Sequence, residues 1–311
     1  MHSRSALRLA IDIGGTFTDS VLVDAAGTIC ATAKTATTPE SPADGALAGA
    51  EAVLVQAGAN WADIADLVHG TTLATNALIE RRGAAVASVT TQGFRDILEI
   101  GYERRYSQYA LDLEKPDLIV PRRHAFTLAG RMDASGREIA PFDDARVPAL
   151  TRALKDAAVD AVAICLLHAY ANPTHERRLR DLLLAAMPEL SISVSHEVSP
   201  EAREFDRLCT TVANAYIQPL MARYLTDLQS RLTEAGLLCP VLMMTASGGM
   251  TTVETAARLP VRLVESGPAG GAILAARIAA DTCEDEVLSF DMGGTTAKLC
   301  LIDKARPQTA R

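Results

Sequence analysis

Two short stretches constrain this chain more than anything else in it: residues 9–24, LAIDIGGTFTDSVLVD, and residues 288–303, LSFDMGGTTAKLCLID. In each, an apolar run ends in an aspartate, turns on two glycines and a threonine, and leaves through a second apolar run. That is the pattern of a buried β-strand, a tight glycine turn and a returning strand. The copies lie 279 residues apart and share Leu9/Leu288, Asp12/Asp291, Gly14/Gly293, Gly15/Gly294, Thr16/Thr295, Leu22/Leu301 and Asp24/Asp303. One D-x-G-G-T is compatible with an ordinary tight turn. Two copies in matching hairpins read as two halves of one site.

The chemistry of such a tip is that of an anion cradle. Adjacent glycines expose successive backbone N–H groups without interference from Cβ, and phosphate oxygens accept from such a nest. A threonine hydroxyl adds a donor. Gly14, Gly15 and Thr16 on one side, with Gly293, Gly294 and Thr295 on the other, are therefore the candidate phosphate contacts. An aspartate ending the preceding strand can hold Mg²⁺ or its waters, or orient a nucleophile. Asp12 and Asp291 are the candidate catalytic residues, and with Asp19 the candidate metal ligands. Asp19 and Lys298 hold the same hairpin position with opposite charge, which leaves two readings: Asp19 meets metal or water and Lys298 meets phosphate, or each is simply exposed. Two hairpins facing each other across a cleft would clamp a polyphosphate such as ATP.

Composition narrows the class. A chain of 311 residues is expected to hold about two domains. Its net charge of −8 argues against a nucleic-acid partner, and the basic pairs along it are scattered. Six cysteines lie far apart, none in C-x-x-C, which indicates neither a disulfide framework nor a zinc site. No secretory leader and no membrane-spanning run is expected, so the sequence reads as cytoplasmic.

Strand and helix patterns alternate along the chain, which indicates an α/β architecture. After the first hairpin a third strand (28–34) precedes a helix opened by Ser41-Pro42, with the serine placed to cap it. Three short strands and a helix are how a ribonuclease-H-like half-domain begins. A strand at 67–72 leads into a helix that ends at Arg81-Arg82-Gly83, and residues 101–123 form a long surface excursion. Helices are expected over 142–158 and 172–187, and a long one from Ser199-Pro200 to about 235 with a kink at Pro219.

A strand at 261–264 running into SGPAGG (266–271) has two readings. One is a dinucleotide fingerprint, with Ser266 standing where a glycine is wanted and Asp291 as the ribose-binding acid. The other is close helix packing beside the cleft, through Gly267, Gly270 and the alanines after them. His69 before a polar turn could touch a substrate, or could be a satisfied structural histidine.

Taken together, DIGGTFTD (12–19), HGTTLATNALIERRG (69–83), VTTQGFRD (89–96), EIGYERR (99–105), EKPDLIVPR (114–122), SHEVSPEAREFDR (195–207), NAYIQPLMARYL (214–225), SGPAGG and DMGGTTAK (291–298) resemble the hydantoinase A/oxoprolinase family, across nearly the whole chain and in the family's order. The resemblance implies an actin-like ATPase fold of the ribonuclease-H-like class. It makes 1–190 an N-terminal domain with the first phosphate hairpin. It makes 191–311 the start of a hydantoinase A domain with a connecting helix and the second hairpin, the second half of the fold being truncated. Gly267 and Gly270 then join the nucleotide contacts, and His69, Thr71 and Thr72 are the candidate substrate contacts. The implied activity is ATP- and Mg²⁺-dependent opening of a cyclic amide, of the hydantoin or 5-oxoproline type, by phosphorylation of a carbonyl oxygen. A second, hydantoinase B-type subunit is the implied partner. Two other readings stay open: a small-molecule kinase of the same superfamily, and an inactive nucleotide-binding fragment.

Overall fold

The structure is a computed structural model that describes residues 6–38, 40–102, 107, 109–113, 115–292 and 297–308. The first apolar pattern folds as expected, into β1 (Leu7–Ile13) and β2 (Phe17–Val23). Leu9, Ile11 and Ile13 stand opposite Leu22, Ser20 and Thr18, and all six are at most 1% exposed. Strand β3 (Ile29–Ala36) pairs with β2, and α1 (Pro42–Ala57) packs on this sheet. The approach is close. A β-carbon on Gly49 would stand 2.6 Å from Ser20 Oγ. Ser41 does not cap α1; Thr38 Oγ1 takes that place, accepting the Gly45 N–H at 3.1 Å.

The chain continues through β4 (Ile64–Thr71) and α2 (Leu73–Ile79) to β5 (Val86–Thr91) and a short α3 (Ile97–Ile100). Next come β6 (Ala125–Leu128), β7 (Arg131–Met132), β8 (Glu138–Ala140) and α4 (Val147–Asp156). Then follow β9 (Ala161–Cys165), α5 (Thr174–Ala186), β10 (Ser191–Val194) and α6 (Ser195–Val198). The long helix α7 begins at Glu204, later than expected, and stays helical through Pro219 to Glu234. After it come β11 (Val241–Met244), β12 (Met250–Thr252), α8 (Val253–Arg258) and α9 (Ser266–Thr282). The last elements are β13 (Glu286–Met292), β14 (Ala297–Asp303) and β15 (Arg306–Pro307).

These elements form two compact units, Met1–Glu80 with Met221–Arg311, and Arg81–Leu220. The first unit is discontinuous in sequence and the second is a single continuous segment. The first unit carries a six-stranded sheet in the order β12–β11–β4–β1–β2–β3, in which β1 pairs parallel with β4 and antiparallel with β2. Its second sheet, β13–β14–β15, leans on α9 through Ala276, Ala279 and Ile302. The second unit has a parallel sheet, β10–β9–β5–β6. Val89, Ile164, Leu154, Leu179 and Leu183 close its core beneath α4 and α5. No helix among the described residues is long and apolar enough to cross a membrane.

One expected strand is absent. Residues Pro260–Leu263 form a 3-10 helix, begun by Pro260, with Arg262 and Val264 donating to carbonyls three residues back.

Candidate functional site

The repeat in the sequence is a repeat in register. Asp12 faces Asp19 across the first hairpin and Asp291 faces Lys298 across the second; Leu9/Leu22 and Ile11/Ser20 correspond to Leu288/Leu301 and Phe290/Leu299. Both hairpins belong to the same unit. The tip of the second, with Gly293, Gly294 and Thr295, lies outside the described residues.

Asp12 ends β1 on the open side of the sheet. The protein around it and, next, the charges of Asp19 and Asp291 push its carboxyl above the usual carboxylate range. Asp291 is thus near enough for its charge to be felt at Asp12. Room for the Asp12 carboxylate comes from the neighbouring strand. A β-carbon on Gly70 would lie 2.8 Å from Asp12 Oδ1, so a larger residue there would displace the acid. Asp19 is differently employed, with both carboxylate oxygens 3.1 Å from Lys34 Nζ.

The first turn spends one of its expected donors on itself. Gly14 N–H donates to the Phe17 carbonyl at 2.9 Å, and its own carbonyl accepts from Thr37 Oγ1 at 2.9 Å. Gly14 is a glycine for the turn, since its β-carbon would stand 3.0 Å from the Phe17 oxygen. Gly15 and Thr16, at the exposed tip, keep N–H groups with no partner among the described residues. Beside them lies Asn76, whose Nδ2 would be 3.5 Å from a β-carbon on Gly15 and which donates to Thr72 Oγ1.

Thr72 ties this turn to β1, with both its N–H (2.9 Å) and its hydroxyl (3.2 Å) donating to the Ile13 carbonyl. Thr71 is buried, and its Oγ1 accepts the Leu73 N–H at 3.2 Å. His69 is the satisfied structural histidine of the two readings. It is 0% exposed, with Nδ1 3.0 Å from the Ile11 carbonyl and Nε2 2.6 Å from Tyr224 Oη. A carbonyl only accepts, so Nδ1 carries the proton and Nε2 accepts from the tyrosine. Burial lowers its pKa to about 4, so the ring is neutral and leaves no nitrogen for a substrate.

At the other hairpin, Lys298 Nζ lies 2.9 Å from Glu265 Oε2. Glu265 precedes α9 in a left-handed conformation, φ +66°, uncommon for a residue with a side chain, and its N–H donates to Thr75 Oγ1 at 3.1 Å. Ser266 opens the helix with its hydroxyl buried and without a partner among the described residues. The dinucleotide reading of this segment fails, because a 3-10 helix and not a strand enters it. Gly270 serves packing, with a β-carbon there 3.1 Å from Met244 Sδ, while Gly267 has open space around it.

Among the described residues no three His, Cys, Asp or Glu side chains converge as a metal cage. Mg²⁺ does not need one: it keeps several waters and takes one or two carboxylates plus phosphate oxygens. Burial first, and then the charges of Asp19 and Asp291, raise Asp12; the charge part of this is what such an ion would relieve, so Asp12 and Asp291 fit the role.

Sequence reasoning missed the polar centre of the second unit. Glu176, Ser195 and Arg207 are all 0% exposed. Glu176 Oε1 accepts from Ser195 Oγ at 2.6 Å and the Leu166 N–H at 2.9 Å, while Oε2 lies 2.7 Å from His196 Nδ1. Arg207 Nε donates to Ser195 Oγ at 3.1 Å, and another guanidinium nitrogen donates to the Leu166 carbonyl at 3.0 Å. The neighbouring Cys165 thiol is pushed up to about 12 by burial, which leaves it inert. The pattern SHEVSPEAREFDR, with a serine and an arginine twelve apart, was the available signal.

Comparison with known proteins accords with this geometry. Residues 8–187 match the hydantoinase/oxoprolinase N-terminal region, and residues 207–311 match the hydantoinase/oxoprolinase family. The caprolactamase subunit alpha of Pseudomonas jessenii is 34% identical over 96% of this chain and 44% of its own length. The crystal structure of that ATP-dependent caprolactamase superposes with a TM-score of 0.83 at 33% identity, covering 94% of this chain and 43% of that one. A nucleotide-free acetone carboxylase structure, from a study of ATP-dependent acetone carboxylation, gives a TM-score of 0.88 at 26% identity, covering 97% and 44%. The chain thus spans less than half the length of these relatives, and its fold is the actin-like ATPase fold that they have.

Proposed function

This chain belongs to the hydantoinase/oxoprolinase family, and from that premise we propose that it is the nucleotide-handling part of an ATP-dependent enzyme that opens a cyclic amide. The observation that carries the reading is the pair of hairpins of identical register, with Asp291 close enough to raise Asp12.

In this reading the N–H groups of Gly15 and Thr16 receive phosphate oxygens from one side. The second hairpin, including Gly293, Gly294 and Thr295, receives them from the other. Asp12 and Asp291 hold Mg²⁺, which supplies charge neutralisation on the phosphates. Lys298, moved from Glu265, adds a cation to a site that otherwise holds carboxylates. The phosphoryl group passes to the carbonyl oxygen of the amide, which makes the ring carbon open to water. Catalysis of such a transfer is positioning and charge stabilisation. Ring opening then breaks the C–N bond, and hydrolysis of the phosphorylated product releases phosphate. Thr72 and Asn76, beside the first turn, are better placed than His69 to define the substrate side. Residues 1–190 and 191–311 remain the proposed functional regions. The caprolactamase relative is named a subunit, and a second, hydantoinase B-type subunit is the proposed partner here.

The test is phosphate release from MgATP by this chain together with its partner, with and without caprolactam, 5-oxoproline or hydantoin. Stimulation by one of the cyclic amides is expected. If turnover is blind to all three, the cyclic-amide assignment is wrong. If MgATP does not bind at all, the nucleotide reading itself is wrong.

A further inference from the structure

The parallel sheet of the second unit ends at β6, and the two edges of that strand differ. The Leu128 carbonyl accepts the Gln92 N–H at 2.9 Å, so Leu128, and with it Phe126, turn their backbone groups toward β5. Backbone groups alternate in direction along a strand, so Ala125 and Thr127 turn theirs to the open edge. Ala125 is already engaged there. Its N–H donates to the Arg122 carbonyl, and its own carbonyl accepts from Arg95 Nε at 2.9 Å. Beyond the strand, the Ala129 carbonyl accepts the Asp143 N–H at 3.4 Å. Thr127, between them, keeps both its N–H and its carbonyl without a partner among the described residues.

Thr127 lines a hollow of about 520 Å³ between β6 and α4. Phe126, Leu128 and Leu150 give it apolar surface, and Ala149 and Ala153, one turn apart on α4, leave it open by being small. Arg95 and Arg146 line it too, both exposed. Arg95 donates to two carbonyls, those of Ala125 and Arg122, and no carboxylate among the described residues pairs with it. Arg146 is held by Asp143 at 3.0 Å on the surface, where such pairs are weak and an incoming carboxylate can compete. A free strand edge beside an apolar trough, with two guanidinium groups at hand, suits an extended peptide that carries an acid. A second copy of this chain would bring the same two arginines against themselves, which opposes it.

We propose that the open edge of β6 and this hollow are the docking site of an extended, acidic segment of the second subunit. One residue of the segment exchanges both backbone hydrogen bonds with Thr127. The residues on either side of it point to the face of Phe126 and Leu128, which is the face turned to α4, and fill the hollow against Ala149 and Ala153. A carboxylate of the segment meets Arg95 and Arg146. The proposal takes its partner from the proposed function and is independent of the nucleotide reading.

Amide exchange resolved residue by residue tests it, on this chain alone and bound to the second subunit. The Thr127 amide should exchange fast in the chain alone and about tenfold slower, or more, in the complex. Phe126 and Leu128, bonded to β5, should be slow in both. Arg95→Glu with Arg146→Glu, and separately Ala149→Trp, should weaken assembly by about tenfold and return Thr127 to fast exchange. Ala149 is exposed, so its variant should melt with the parent, which separates a blocked hollow from a failed fold. Overlapping peptides that cover the second subunit give a readout without the intact complex: one rich in aspartate or glutamate should slow the Thr127 amide. Slow exchange of Thr127 in the chain alone, unchanged exchange in the complex, or protection indifferent to the variants overturns the proposal. So does a peptide set in which none, or only a basic one, protects Thr127. MgATP binding, measured on the same samples, reports separately on the nucleotide reading.

Discussion

Gly70 and Asp12 are register partners in the parallel pair β4–β1, and a β-carbon on Gly70 would come within 2.8 Å of Asp12 Oδ1. The glycine therefore sets where the acid sits. Gly70→Ala should move the carboxylate by a fraction of an ångström and reduce substrate-stimulated ATP turnover by about a hundredfold, the scale on which small misplacements act. Backbone effects of the substitution stay within about 1 kcal/mol. Turnover and a melting curve measured on one preparation separate the two, and full activity with an unchanged melt would refute the positioning role.

Asp12 is also a source of instability. Surrounding protein, then Asp19 and Asp291, raise its carboxyl, so ionising it costs folding free energy. Its contribution to stability is present at acid pH and is lost as pH rises through the raised range. Asp12→Asn should therefore melt higher than the parent at pH 7.5, with the difference closing at acid pH. The same variant should lose the stabilisation that MgATP gives the parent. A variant that melts lower at pH 7.5 would contradict the charge argument.

The His69–Tyr224 hydrogen bond predicts a different pH response. His69 is held neutral with its pKa lowered to about 4, while the unfolded chain takes up the proton near 6.5. Stability is then complete above 6.5 and declines as pH falls from there to about 4, by up to about 1.4 kcal/mol per pH unit. Tyr224→Phe, which leaves Nε2 without a donor, should cost about 1–3 kcal/mol at pH 7. Urea unfolding at pH 7 and pH 5 measures both, and a His69→Gln variant as steep as the parent between those values would exclude His69 as the cause.

Arg207 is buried with its charge balanced by Glu176 through Ser195. Arg207→Met leaves that carboxylate without its counter-charge and should destabilise the chain by about 3–5 kcal/mol. Equilibrium unfolding is the measurement. A loss under about 1 kcal/mol would mean that water reaches the network.

Much of this architecture was legible because local pattern and burial agreed. Apolar runs ending at Asp12 and Asp291 gave the hairpins, and Pro42, Leu73 and the small residues after Ser266 gave their helices. The misreadings have local causes. Residues 261–264 carry two valines and a leucine, but Pro260 starts a 3-10 turn instead. Gly83 resembled a helix-ending glycine, yet Arg81 takes the left-handed conformation there, φ +57°. Gly83 is small because a β-carbon would stand 2.4 Å from the Tyr216 ring. No spacing in the sequence announces a contact between residues that far apart.

The sequence by itself determined the duplication: two aspartate–glycine–threonine hairpins, their register, and the family to which they belong. Those features are local, written in strand period and turn residues. Tertiary structure decided which of the marked residues are available. It buried His69 against Tyr224, paired Asp19 with Lys34 and Lys298 with Glu265, consumed the Gly14 donor within its own turn, and set Gly70 beside Asp12. Those outcomes depend on which atoms meet across strands and helices distant in sequence, and burial and hydrogen bonding act only once they have met.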